Sequence, residues 1–393
     1  MFSEDMYLLG SKRSVIRDLF EFGAKRKQEI GAENVYDFSL GNPNVPAPDC
    51  VNEAITEIFS TMPATAIHSY TSAQGALPTR EAIANNINER FSTKLTANNI
   101  YVTVGAAASL MITLRALNEG QDEFITFAPF FPEYTVFVEA TGGSLKVIPV
   151  KDNNFQLDIA AFEKAITAKT KAVILNSPNN PSGVIYSEES IIALCKILNK
   201  KSAEFGAPIY LISDEPYREI AYDNAFVPYL MNYYKNTIVC YSYSKSLSLP
   251  GERIGYIAVN NEAEDSDNLY LALCGAGRAL GYVCAPSLMQ LVIQKCINAQ
   301  TDLTYYKNNR DTLYNALTKM GYTAVHPDGA FYLFVKSPEL DANAFSKRAQ
   351  NHELLIVPGD SFGVPGYVRI SYCVAYETIV NSLPAFEALI KTY

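Results

Sequence analysis

TIVCYSYSKSLSLPGERIGYIAV, residues 237–259, runs one strand-like apolar segment into a serine-rich loop and a second strand-like segment out of it. The loop holds one lysine, Lys245, among four serines, with Arg253 eight positions later. A lysine in a loop is ordinarily a solvated charge. Whether this one differs depends on what else the fold brings to the same place.

Working outward, the apolar period keeps switching between 2 and 3.6 from about residue 100, the signature of strands alternating with helices. NIYVTV, EFITF, SLKVIPV, KAVIL, PIYLIS and TIVCYS read as strands. ASLMITLRALN, EYTVFVEATG, DIAAFEKAI and SEESIIALCKILNKKSAEFG read as helices between them. This order predicts an α/β fold with a mostly parallel sheet covered by helices on both faces. After about residue 300 the long helix DLTYYKNNRDTLYNALTKMG, followed by AFYLFV, LLIV and YVRISY, predicts a smaller α+β domain.

Composition narrows the function. The 393 residues are 48% hydrophobic, enough for a sizeable core in two or three domains. A formal net charge of −9 gives no basic surplus for nucleic acid, and none is expected as a partner. No apolar run reaches membrane-spanning length, and the opening MFSEDMYLLGSKRS lacks an apolar core with a cleavage site. Neither a membrane nor a secretory route is expected. The seven cysteines are scattered without a C-x-x-C pair, which fits a reducing, cytoplasmic compartment. The three histidines show no metal-ligand spacing, so no metal site is expected.

Two motifs mislead. GDSFG, residues 359–363, matches the G-x-S-x-G nucleophile elbow, but Gly363, Pro365 and Gly366 forbid the helix that must follow, and no histidine lies beyond it. GAGRALG, residues 275–281, resembles a dinucleotide loop with its last glycine one place late and no strand before it. A turn is expected there.

In an open parallel sheet, ligands sit outside the carboxyl ends of the strands. The segments following the strands are GAAAS, APFFPEY, NSPNNPSG, DEPY and YSKS. In GAAAS, the N–H groups of Gly105, Ala106 and Ala107 open a helix and can seat a phosphate, with Ser242, Ser244 and Arg253 beside it. Asp214 ends a buried strand and needs a cationic partner, which a protonated ring nitrogen supplies. Tyr217 and Asn180 can hydrogen-bond a phenolate oxygen, and Phe131 offers a stacking face. Pyridoxal 5′-phosphate uses every one of these groups, with Lys245 as the amine that takes its aldehyde.

With these residues in order, the sequence resembles the fold-type I, class I aminotransferases related to aspartate aminotransferase, from FSLGNPNVPAP at residue 38 to YVRISY. The resemblance implies the fold of that family, with a seven-stranded-type sheet. It also implies a large cofactor-binding domain over 46–290 and a small domain from 1–45 and 291–393. By the family's motifs, Lys245 carries the cofactor as a Schiff base, Asp214 and Tyr217 join it in catalysis, and Tyr70 of YTSAQG reaches the phosphate of a neighbouring subunit in a homodimer. Arg369 of VRIS, with Gly41 and Asn180, clamps the substrate α-carboxylate. The implied reaction is ping-pong transfer of an amino group from an L-amino acid to a 2-oxo acid, with 2-oxoglutarate the expected acceptor. Departures are a GAAAS loop without the hydroxyl or lysine many relatives carry, and phenylalanine where many stack tryptophan. A carbon–sulfur β-lyase on the same site is the alternative. A regulator reading would need a basic helix-turn-helix ahead of the first motif. For a second carboxylate-binding arginine, Arg13, Arg17 and Arg278 are the candidates.

Overall fold

The computed structural model describes residues 2–11 and 15–393. After the helix Val15–Ile30, a short strand β1 (Tyr36–Asp37) leads into a seven-stranded sheet. Its members are β2 (Ile100–Thr103), β3 (Glu123–Phe127), β4 (Ser144–Ile148), β5 (Thr170–Asn176), β6 (Tyr210–Asp214), β7 (Thr237–Ser242) and β8 (Gly255–Val259). They lie in the order β2-β8-β7-β6-β5-β3-β4, and only β8 runs against its neighbours.

Alternate residues of the central strands serve opposite cores. In β5, Ala172 and Ile174 belong to one apolar cluster, with helix Ala106–Leu117. Val173 and Leu175 belong to another, with helix Glu188–Phe205. Side chains of a strand alternate between faces, so a strand buried on both reads as a continuous apolar run, as AVIL does. The sequence expectation of a two-faced parallel sheet holds. The connection from β7 to β8, residues 243–254, holds only the single helical turn Tyr243–Ser246 and no helix long enough to cross a face of the sheet, and β8 returns antiparallel beside β7.

A second sheet, β12-β13-β10-β9, contains β9 (Thr323–Ala324), β10 (Tyr332–Lys336), β12 (Val357–Pro358) and β13 (Tyr367–Ser371). The run LLIV, expected as one strand, is divided between β11 (Leu354–Leu355), which pairs in parallel with β1, and β12 in this sheet. Helices Leu303–Lys319 and Tyr376–Ile390 supply residues to its core. The loop before β10 meets the segment after β6, where Ala330 N donates to Ile220 O at 2.8 Å and Tyr222 N to Asp328 O at 2.9 Å.

Both decoys resolve physically. Gly359–Phe362 is a 3₁₀ turn ending at Gly363 in the left-handed region, with no helix after it. GAGRALG is not the expected turn: Gly275 and Gly277 lie inside the helix Ser266–Ala279. A Cβ on Gly277 would stand 2.1 Å from Tyr101 Oη, so close packing against β2 selects the glycine.

Directly after β6, Glu215 and Arg218 form a buried pair, 1% and 6% exposed. Arg218 Nη2 donates to Glu215 Oε1 at 2.8 Å and to Pro228 O at 3.0 Å. Removing one member of such a pair strands a buried charge. Glu215→Ala is therefore expected to destabilise the protein by about 3–5 kcal/mol, with part of the loss recovered by adding Arg218→Met. Urea unfolding checks this, and a loss too small to measure would contradict it.

Candidate active site

The carboxyl edge of the large sheet is set by strand register. Asn176 lies opposite Asp214, Asp214 opposite Cys240, and Ser242 opposite Gly255, which also faces Thr103. The ends of β2, β5, β6 and β7 therefore open on one side.

Asp214, 4% exposed, accepts a hydrogen bond from Tyr134 Oη at 2.5 Å through Oδ2. Its Oδ1 is buried with no partner. Burial raises the carboxyl to about 7, against the pull of the Tyr134 hydroxyl. The group is placed to receive a cationic donor.

Lys245 sits in a single helical turn, Tyr243–Ser246, capped by Ser242, whose Oγ accepts from Ser244 N at 3.2 Å. Its Nζ donates to Gly41 O at 2.5 Å. Burial pushes the amine down to about 8, and the nearby Arg253 and Arg369 act in the same direction. Near neutral pH the uncharged, nucleophilic form is then accessible.

Gly105 caps the helix Ala106–Leu117 at φ 98°, and a Cβ there would lie 2.6 Å from Arg253 Nη2. Glycine is required twice over, by backbone angle and by the guanidinium's approach. Arg253 donates to Ser244 Oγ at 3.3 Å and Pro250 O at 2.9 Å, and the hydroxyls of Ser242 and Ser244 are 2.7 Å apart. Unpaired N–H groups at the start of a twelve-residue helix, beside an arginine and two hydroxyls, suit a phosphate.

Arg369, on β13, is 3% exposed. It donates from Nη1 to Asn180 Oδ1 at 3.1 Å and from Nη2 to Ser39 O at 2.6 Å, while Nε is buried without a partner. The rings of Tyr332 and Phe362 lie 4.8 and 5.0 Å from its guanidinium carbon. No ion-paired carboxylate meets it among the described residues, and burial lowers its pKa. A buried guanidinium held only by neutral acceptors is an anion site. Gly41 must lack a side chain because a Cβ would meet Tyr332 Oη at 2.0 Å.

These groups converge on one open cavity of about 330 Å³. Gly41, Ala106, Ala107, Phe131, Asn180, Asp214, Tyr217, Ser242, Ser244, Lys245, Arg253 and Arg369, all anticipated from sequence, line it, and Gly105 sits at its rim against Arg253. Tyr70 does not join them: it is 92% exposed. Of the extra arginines, Arg13 lies outside the described residues, and Arg17 and Arg278 are exposed and off the cavity wall. Sequence reading missed Tyr134, Asn176 and Tyr332. Tyr134 stands three residues after Phe131, and Asn176 directly ends β5, which are available signals. Tyr332 reaches the cavity from the other sheet, and nothing local marks it.

A family model described as aminotransferase class I and II matches residues 32–383. An aspartate aminotransferase from Thermotoga maritima is 29% identical over 385 residues, covering 96% of this chain and 97% of that one. A probable aspartate aminotransferase from Methanocaldococcus jannaschii is 30% identical over 391 residues, covering 97% and 98%. The crystal structure of an amino transferase from Eubacterium rectale superposes with a TM-score of 0.98 at 57% identity, covering 100% of this chain and 99% of that one. The chain belongs to the class I and II aminotransferases, pyridoxal-phosphate-dependent enzymes of fold type I. The residues present fit that cofactor: the unpartnered Asp214 Oδ1 suits a protonated ring nitrogen, and the side-chain-free approach at Gly105 suits a phosphate.

The lowered pKa of Lys245 has a thermodynamic consequence. Its folded value, about 8, lies below the ordinary 10.5, so the unfolded chain binds more protons between those values and stability rises with pH there. Below about pH 8 the buried ammonium is a cost, on the order of 3 kcal/mol. Cofactor-free Lys245→Met should be more stable than the unmodified protein at pH 7, and that advantage should fade as pH rises from about 8 to 10.5. Urea unfolding of both proteins checks this, and a pH-independent difference would contradict it.

Proposed function

We propose that the protein is a cytoplasmic, homodimeric aminotransferase that moves an amino group from an L-amino acid to a 2-oxo acid, 2-oxoglutarate in particular, by a ping-pong mechanism. The observation that carries this reading is Arg369: a buried guanidinium without a carboxylate partner, facing the same cavity as Lys245 and Asp214. Every amino acid and 2-oxo acid brings the α-carboxylate it lacks.

When bound, pyridoxal phosphate supplies an aldehyde and an electron-accepting pyridinium ring. Lys245 would be the attachment point for that aldehyde, and its Nζ would take up and return the substrate Cα proton. Asp214 Oδ1 would accept the ring N–H and so favour the protonated nitrogen. Tyr217 and Asn180 would donate to the phenolic oxygen; Asn180 Oδ1 is engaged by Arg369, which leaves its amide N–H for this task. Phe131 would offer the ring a stacking face. Ser242, Ser244, Arg253 and the backbone of Gly105, Ala106 and Ala107 hold the phosphate. Arg369, Gly41 and Asn180 hold the α-carboxylate. Residues 46–290 form the cofactor-binding domain in this reading, with 1–45 and 291–393 together as the smaller one. Seven free cysteines support a reducing compartment, and among the described residues no helix is long and apolar enough to cross a membrane.

Two experiments test the reading. Arg369→Lys loses the planar two-bond clamp, and kcat/KM should fall for acidic, aromatic and small donors alike, by about 1.5–3 kcal/mol in barrier, with the cofactor retained. A loss confined to one donor class would make Arg369 a side-chain selector, and pyruvate release from cysteine-type substrates without an acceptor would favour a β-lyase.

The exposure of Tyr70, on a segment away from its own cavity, supports a role across a subunit interface. Mixing Tyr70→Phe chains with Lys245→Ala chains should yield hybrids in which one site carries both defects and the other neither, restoring activity above either parent. An active monomer in sedimentation would refute the shared site.

A further inference from the structure

Tyr217 lies in the segment after β6 and Tyr332 opens β10 of the second sheet, and they meet through their hydroxyls at 2.7 Å, with ring centroids 5.5 Å apart and planes at 79°. Both rings are buried, and each hydroxyl has the other as its one hydrogen-bond partner among the described residues. Two hydroxyl protons therefore share one contact. If Tyr217 donates, its proton is spent on Tyr332. If Tyr332 donates, the Tyr217 proton remains free on the cavity side.

The surroundings choose between these. Tyr332 is wedged so that its Oη fills the space a Cβ of Gly41 would occupy, and Arg369 lies over its ring at 4.8 Å. A cation on the ring makes a phenol a better donor. Burial raises both hydroxyls above their ordinary value, and the Arg369 charge over the Tyr332 ring works against that rise.

We propose that Tyr332 is a positioning residue: its hydroxyl donates to Tyr217 Oη, leaving the Tyr217 proton free to point into the cavity at the phenolic oxygen assigned to it above. The inference rests on that assignment. It also links the α-carboxylate clamp to the cofactor's ionisation, because the ring lying against Arg369 is the one that orients Tyr217.

The test is a titration, not an activity. In the unmodified enzyme, the absorbance of the lysine–cofactor adduct changes with pH around a midpoint set in part by hydrogen bonds to the anionic phenolic oxygen. Tyr332→Phe keeps the ring against Gly41 and Arg369 and removes only the hydroxyl. The midpoint should rise by about half to one pH unit. Tyr217→Phe should raise it further, and adding Tyr332→Phe to Tyr217→Phe should change nothing more, because the second hydroxyl acts only through the first. Circular dichroism and cofactor stoichiometry establish that each variant is folded and loaded. A Tyr332→Phe midpoint equal to that of the unmodified enzyme would overturn the proposal. So would a shift that persists in the Tyr217→Phe background, or an effect seen only in KM, which would mark Tyr332 as packing for Arg369. Failure of the underlying cofactor reading looks different: no titrating adduct in the unmodified enzyme.

Discussion

A carboxylate at the end of β6 and a guanidinium on β13 are each buried without a charged partner, and the rest of the structure is arranged around that unpaid electrostatic cost. Isolated buried charges are among the most destabilising features a fold can hold. Asp214 keeps one oxygen satisfied by Tyr134 and leaves the other bare. Arg369 is held by an amide oxygen and a backbone carbonyl and leaves Nε bare. Two-faced apolar burial of the central strands provides the rigidity that keeps both groups from relaxing towards water. Titratable groups perturbed in this way cluster at functional sites, and here they frame one cavity.

The topology explains why so few contacts suffice. Because β2, β5, β6 and β7 all run in one direction, their carboxyl ends deliver Gly105, Asn176, Asp214 and Ser242 to the same edge. The second sheet then closes the cavity from the far side with Arg369 and Tyr332. Gly41 bridges the two, accepting from Lys245 Nζ while making room for Tyr332. In the proposed mechanism the cofactor and the α-carboxylate are thereby read by different sheets through one shared pair of tyrosines.

Much of this was legible in the sequence because strand ends announce themselves. Asp214 closes an apolar run, the glycine of GAAAS opens a helix, and Lys245 interrupts two strands. The direction of β8 was not stated by its apolar pattern, which is the same for either orientation. GAGRALG reads locally as a turn and is helical because Gly277 packs on Tyr101, a contact 176 positions away in the chain. Tyr332 was invisible for the same reason: its partners Tyr217, Gly41 and Arg369 are brought to it only by tertiary packing. Side-chain selectivity is also unreadable locally, since among the described residues the cations on the cavity wall are Lys245, Arg253 and Arg369, each with a proposed task.

The central claim is that Asp214 is held unpaired for a cationic ring nitrogen. Infrared difference spectroscopy on carboxyl-labelled aspartate, with Asp214→Asn as the subtraction, follows that single group with and without pyridoxal phosphate. The account predicts a protonation midpoint near 7 in the cofactor-free protein and a fall to well below the ordinary carboxyl range once the cofactor is bound. A midpoint in the ordinary range in both states, unmoved by the cofactor, would contradict it.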